Sequence, residues 1–142
     1  MLLNKIMIYG SVGFMWLAVC GPAAAQTPST AGSAVYIIEP VDGAVLHGPV
    51  TVKFGLRGMG VAPAGVDRPG TGHHHLLIDS DVPPLGRPIP KDAQHRHFGG
   101  GQTEVVIDLP PGRHTLQLIL GDKDHIPHEP PLISKRITVT VE

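Results

Sequence analysis

Cysteine is almost absent from this chain, which has a single one, Cys20, among its 142 residues. Cys20 lies in the stretch 1–25, whose only charge is Lys5 and whose apolar core is followed by small residues up to Ala25. This pattern predicts a secretory signal peptide cleaved after Ala25, with an apolar stretch too short to favour a lasting membrane span. The chain from Gln26 onward then has no disulfide, thiolate ligand or cysteine nucleophile. We therefore expect a periplasmic or secreted protein.

Cys20 also raises an alternative, a lipoprotein cleaved before that cysteine. Such signals normally carry a small residue at the preceding position, where this chain has Val19. Soluble export is therefore the preferred prediction.

An excess of charge is also missing. The chain has 11 Lys and Arg against 12 Asp and Glu, and its formal net charge is −1. The basic excess expected of a nucleic-acid-binding protein is absent, and so is a polybasic run of the kind that binds membrane surfaces. Nucleic acid and a membrane span are therefore not expected among the partners of the processed chain.

Helical periodicity is lacking as well, because 18 Gly and 15 Pro interrupt the chain too often for it. Six short segments instead alternate apolar and polar residues with a period of two, which is typical of half-buried strands. These segments are 35–39, 50–56, 73–79, 103–109, 114–120 and 135–141. They predict an all-β fold, a small antiparallel immunoglobulin-like β-sandwich that is cupredoxin-like in outline. The sandwich is expected over 35–142, preceded by a flexible linker over 26–34.

Histidine is abundant, with nine residues, and seven of them lie in three short segments. In an immunoglobulin-like sandwich, the loop before the third strand, the approach to the fourth and the loop before the last all lie at one end. These three places hold the triplet "HHH" from residue 73, "HRH" from residue 95 and "HIPH" from residue 125. Imidazoles suit Cu and Zn, so the pattern predicts a metal site. The expected ligands are His73, His75, His95, His97, His125 and His128.

Four further residues are expected to assist this site: His74, Met59, Asp122 and Asp124. Met59 would add a soft ligand for Cu(I), and the two aspartates would accept the second ring N–H of ligating histidines. Met59 as a packing residue and the aspartates as turn residues are the alternatives.

A plainer interpretation of the loop histidines is that they hydrogen-bond loop carbonyls and hold the Pro- and Gly-rich loops in shape. His114 differs from them because it begins the fifth predicted strand on its core-facing side. We expect His114 to be structural.

The segments "GHHHLLID", "HRHFGGGQTE" and "LPPGRHTLQLILGDKDHIPHEPPLIS", taken together, resemble the exported bacterial family called domain of unknown function 4399. The resemblance extends over about residues 58–142 and implies a bacterial, exported domain. It provides no catalytic residues, so the metal prediction depends on spacing and topology alone.

Three functions are compatible with these patterns. The preferred one is an exported, periplasmic metal-binding protein, a copper carrier or buffer, because export, clustered histidine and missing cysteine fit it together. The second is a module in which Arg68, Arg96 and the histidines bind an anionic ligand or another periplasmic protein. The third is a metalloenzyme of the superoxide dismutase type, which the short chain and the missing cysteine disfavour. An enzyme is accordingly the less favoured class.

Overall fold

A computed structural model describes residues 26–142, so the predicted signal peptide and Cys20 lie outside the described residues. This part of the chain is built from strands, as predicted. The strands are β1 (Ala34–Glu39), β2 (Val45–Leu46), β3 (Val50–Arg57), β4 (Gly60–Val61), β5 (Thr71–Ile78), β6 (His95–His97), β7 (Glu104–Ile107), β8 (Gly112–Gly121) and β9 (Ile137–Val141). Over residues 26–142 there is no helix whose length and apolarity would let it cross a membrane.

The strands form two sheets. The smaller sheet has the order β1-β3-β7, and the larger has the order β2-β9-β8-β5-β4 with β6 also paired to β5. The short pairs β2–β9 and β4–β5 are parallel, and the longer pairs are antiparallel. One sheet contains β1, β3 and β7, and the other contains β5, β8 and β9. This division of the strands is that of an immunoglobulin-like β-sandwich, which confirms the predicted fold class. The stretch between β5 and β7 supplies β6 to the larger sheet instead of a fourth strand to the smaller one.

The core lies between the two sheets and follows the period of two. The inward side chains of β3 and β8 are almost completely removed from solvent, and they are Val50, Val52, Phe54, Leu116, Leu118 and Leu120. Each fully buried side chain of this size stabilises the fold by about 1.5–3 kcal/mol relative to an exposed one. The inward residues of β3 and β8 therefore contribute substantially to holding the two sheets together.

Strand β5 is buried on both of its faces along nearly its whole length. Leu76 and Ile78 belong to the core between the sheets, whereas Leu77 packs against Ile89 and Ile119 in a second cluster on the outer face of the larger sheet. Two long connections, residues 79–94 and 122–136, cover this outer face. The backbone N–H of Ile89 donates to the carbonyl of His125 at 2.8 Å and so joins the two connections. This covered outer face holds the candidate site.

The segment that precedes β1 also contacts one of these connections. Gln26 Nε2 donates to the carbonyl of Pro127 at 2.8 Å, and Thr27 Oγ1 donates to Asp122 Oδ2 at 2.7 Å. The backbone N–H of Ser29 donates to the carbonyl of Glu129 at 3.0 Å. A flexible linker over 26–34 stays a prediction, and the first residues of this segment have hydrogen-bond partners in the 122–136 connection. Composition alone does not reveal such partners.

His114 joins the start of β8 to the end of β5. Its ring is buried, Nδ1 donates to Asp79 Oδ2 at 2.6 Å, and Nε2 donates to the carbonyl of Pro110 at 2.8 Å. Because both partners are acceptors, the doubly protonated imidazolium is the form that satisfies them. The hydrogen bond to Asp79 accordingly raises the pKa of His114. Asp79 Oδ1 also accepts the backbone N–H of Thr115 at 2.7 Å, so one carboxylate holds two points of β8.

Replacing His114 with alanine is expected to lower the free energy of unfolding of the metal-free protein by about 1–3 kcal/mol. The loss should depend on pH in a definite direction. A raised pKa in the folded state gives stability that is fully present below the unfolded value near about 6.5 and is lost as pH rises through the folded value. Urea denaturation of both proteins with a chelator should therefore show the largest difference near pH 6 and a smaller one near pH 9. A difference that grows toward pH 9 would contradict the charged pair.

Candidate metal centre

Four histidines meet on the outer face of the larger sheet. His73 and His75 alternate with inward-facing residues of β5 and therefore both project outward. His97 lies opposite His75 in the β5–β6 register, and His125 comes from the connection after β8. Each of the four offers one ring nitrogen such that all four atoms lie within 4.8 Å of one another. We call this set the four-histidine cluster.

The distances within the cluster are close to those around a single ion. His73 Nε2 lies 3.0 Å from His75 Nε2 and 3.0 Å from His125 Nδ1. The rings of His97 and His125 are 4.6 Å apart between centroids. Nitrogens that bind one tetrahedral Zn at about 2.0–2.1 Å would be about 3.3 Å apart. Small side-chain movements are therefore enough to place the nitrogens around a shared ion.

Burial favours the neutral form of three of the four histidines. His73 and His75 are almost completely buried, and this burial, with the neighbouring imidazoles, lowers the pKa of His73 to about 4 and that of His75 to about 2. Burial and His125 also lower the pKa of His97. Neutral imidazole is the form that binds a metal ion, because the ligating nitrogen must be free of its proton. His73, His75 and His97 are thus prepared for a cation without a prior loss of protons.

Several ring nitrogens of the cluster are buried without a hydrogen bond. Among residues 26–142, Nδ1 of His73, Nδ1 of His75 and Nε2 of His97 have no partner. A buried polar group without a partner costs about 1–3 kcal/mol. Leucine or valine would fill the same outer layer without this cost, so packing alone does not favour imidazoles here, and the same is true of His74 and His128 outside the cluster.

The backbone around His125 is arranged to present its ring. His125 has φ of 66°, in the left-handed region that residues other than glycine seldom adopt. Asp122 Oδ1 accepts the backbone N–H groups of Asp124 and Ile126, each at 2.9 Å, and the Asp122 carbonyl accepts the N–H of His125 at 2.9 Å. These bonds hold the turn in which the unusual conformation occurs. Such conformations persist where the surrounding structure fixes them, and they concentrate at functional sites.

Two glycines make room for the rings. A Cβ atom on Gly121 would lie 2.9 Å from His75 Nε2, and a Cβ atom on Gly99 would overlap the ring of His97. The sequence "GGGQ" at 99–102 predicts a flexible loop that lets "HRHF" approach its neighbours closely, whereas Gly121 was not predicted to be part of the site. The "GGG" run at 99–101 was a recognisable signal, because a glycine permits close approach of a neighbouring group to the backbone.

His95 and His128, both expected as ligands, lie outside the cluster. His95 Nδ1 donates to Asp92 Oδ1 at 2.8 Å, and its Nε2 is 3.1 Å from Ser80 Oγ. Asp92 is exposed and also accepts the backbone N–H of residues 94 and 95, as the first residue of a turn does. His128 Nε2 donates to the carbonyl of Thr71 at 3.1 Å. Both histidines hold loops in place, which is the plainer interpretation considered for them.

The four accessory residues also have other roles in the structure. His74 faces inward, with its ring 5.1 Å from that of Phe54, and burial lowers its pKa to about 4. Met59 packs against the core between the sheets. Neither of the carboxylates of Asp122 and Asp124 hydrogen-bonds to a histidine within residues 26–142. Asp122 holds the turn and Thr27, and Asp124 pairs with Lys123 at 2.6 Å.

Comparison with known protein families identifies a match over most of the strands. A family model described as a domain of unknown function, DUF4399, matches residues 52–142. No curated protein and no solved structure matches the chain. The matched range begins inside β3 and therefore includes all of β5, β6 and β8, the strands that carry or precede the four histidines.

Proposed function

The chain belongs to the DUF4399 family, and from its four-histidine cluster we propose that it is an exported, periplasmic protein that binds one Cu or Zn ion. The proposed ligands are His73, His75, His97 and His125. The observation that supports this most strongly is the approach of their four ring nitrogens to within 4.8 Å of one another. Imidazole suits both ions, and residues 26–142 contain no cysteine that would compete as a ligand.

The accessibility of the site favours a carrier or buffer. His73 and His75 form the buried inner end of the cluster, whereas His97 and His125 are only half-buried. An ion can thus enter and leave on the side of β6 and the turn at 122–126, as a protein that exchanges metal requires. The N-terminal stretch with signal-peptide character supports the periplasm as the compartment.

The positions of the two arginines weigh against an anionic ligand bound directly by arginine and histidine. Arg96 pairs with Leu76 in the β5–β6 register, so its side chain begins on the face opposite to His75 and His97. Arg68 lines a separate pocket beside Thr27 and Pro28. A metal ion is therefore the better-supported ligand of the cluster.

Metal analysis of the processed protein tests the proposal. The full-length gene should be expressed without an affinity tag, and the exported product purified and exposed to Cu(II) or Zn(II). We expect one ion per chain by native and elemental mass spectrometry. We also expect an increase in the free energy of unfolding of about 2.7 kcal/mol when free metal is a hundredfold above Kd. A chain that retains no ion and shows no stabilisation would overturn the proposal.

A further inference from the structure

A small cavity lies directly against the four-histidine cluster. Its volume is about 120 Å³, and its lining residues are His75, Ile89, Lys91, His97 and His125. Three of these are proposed metal ligands, so the cavity opens onto the place where the ion would be held. Because a water molecule occupies about 30 Å³, the cavity has room for a ligand of about two to four non-hydrogen atoms.

The proposed ligand set leaves the charge of the ion uncompensated. Four neutral imidazoles bring no negative charge, so a divalent ion keeps both of its positive charges. The carboxylate of Asp122, whose charge acts on His73, already accepts bonds from Thr27 and from two backbone N–H groups. An uncompensated buried charge is strongly unfavourable, and an anion from solution is the simplest partner for it.

Lys91 adds a positive charge, besides that of the ion, at the mouth of the cavity. Its side chain is exposed and lines the cavity. Burial and His125 are the larger causes that lower the pKa of His97, and the charge of Lys91 lowers it further. Ile89 forms the apolar wall beside it and is fixed to the His125 carbonyl through its backbone N–H. The cavity thus has an apolar wall, a cationic mouth and a floor of metal ligands.

We propose that this cavity is an anion subsite, in which a small anion takes an open coordination position on the bound ion while Lys91 pairs with its charge. The proposal rests on the proposed metal function and extends it, because it gives the centre a second ligand of defined class. That ligand is an anion of about two to four non-hydrogen atoms, the size that the cavity admits. Sites that keep one coordination position open take an additional ligand there and sometimes expand to five-coordination.

Azide is a suitable probe, since it is a three-atom anion whose binding to Cu(II) produces a charge-transfer absorption band. The Cu(II)-loaded wild-type protein should be titrated with azide in parallel with the variants Lys91→Gln and Lys135→Gln. Lys135 is a matched control because it is exposed and pairs with Asp42 at 3.3 Å, away from the cavity. We expect Lys91→Gln to weaken azide binding about three- to tenfold and Lys135→Gln to leave it unchanged. Both variants should retain the wild-type Cu(II) stoichiometry.

The possible outcomes separate the two proposals. One Cu(II) per chain with no spectral change on azide addition would overturn the anion subsite and leave the metal function standing. An equal weakening in both lysine variants would overturn the role of Lys91. Failure of the wild-type protein to bind Cu(II) would overturn the metal function and the subsite together.

Discussion

Replacing His75 with leucine is expected to lower the metal affinity of the protein by at least about 100-fold, since loss of an outer-shell partner alone costs about 10–100-fold. His75 lies at the base of the cluster, 3.0 Å from His73 Nε2 and opposite His97 in the register. Its removal leaves three imidazoles and an apolar side chain at the ion. Competition against a chromophoric chelator measures the affinity, and the loss of metal-induced stabilisation in thermal melts gives an independent measurement.

The same variant should fold more stably than the wild type when metal is absent. Leucine has nearly the shape of the imidazole, and it removes a buried Nδ1 that has no partner among the described residues. We expect a gain of about 1 kcal/mol in the free energy of unfolding, because replacing an unsatisfied polar group with an apolar one removes its desolvation cost. A gain in apo stability together with a loss of metal binding would indicate that the histidine is present for its ligand.

His95→Leu is the matched control. His95 and His97 are two residues apart on β6 and share the same face, but His95 hydrogen-bonds to Asp92 and Ser80. The control should keep the wild-type metal affinity and lose stability instead, since it breaks these bonds. Equal loss of affinity in the His75 and His95 variants would contradict the assignment of the ligands.

The six longer strands and the sandwich class were predictable because the period of two is a local property. The alternation over 50–56 and 114–120 predicts β3 and β8 directly, and the absence of helical segments leaves a sandwich as the natural arrangement. The short strands β2, β4 and β6 were not predicted. β2 and β4 have only two residues each, too few to show a period.

The location of the cluster was predicted less well. His73, His75, His97 and His125 were all among the expected ligands, but they were expected among loops at one end of the sandwich. The structure places them on the outer face of β5, beneath residues 79–94 and 122–136. A strand usually exposes one face, and only tertiary packing of the two connections decides that both faces of β5 are covered.

The distinction between His97 and His95 also required the structure. Both have the same spacing to a neighbouring histidine, and both project from β6 on the same side. The pairing register decides between them, because His97 lies opposite His75 whereas His95 lies opposite Leu77. Register depends on long-range pairing, and nothing in the local sequence specifies it.

Metal affinity is expected to decline less steeply than four ordinary imidazoles would allow as the pH is lowered from 7 to 5. The neutral fraction of an imidazole with an ordinary pKa of about 6.5 falls about 25-fold over this interval. Two such ligands would therefore reduce metal affinity about 600-fold. Burial lowers the pKa of His73 to about 4 and that of His75 to about 2, so both remain neutral at pH 5. Their combined contribution to the decline should be less than about twofold.

This pH dependence can be measured by chelator competition at pH 5, 6 and 7. A synthetic peptide of residues 71–81 is the matched control, because it carries the same triplet "HHH" without the two connections that bury it. The peptide should lose metal steeply over this range, whereas the protein should retain about 600-fold more of its pH 7 affinity than four ordinary imidazoles would allow. If the affinity of the protein instead fell in parallel with that of the peptide, His73 and His75 would be exchanging protons freely with solvent. The prediction that burial protects His73 and His75 from protonation would then be wrong.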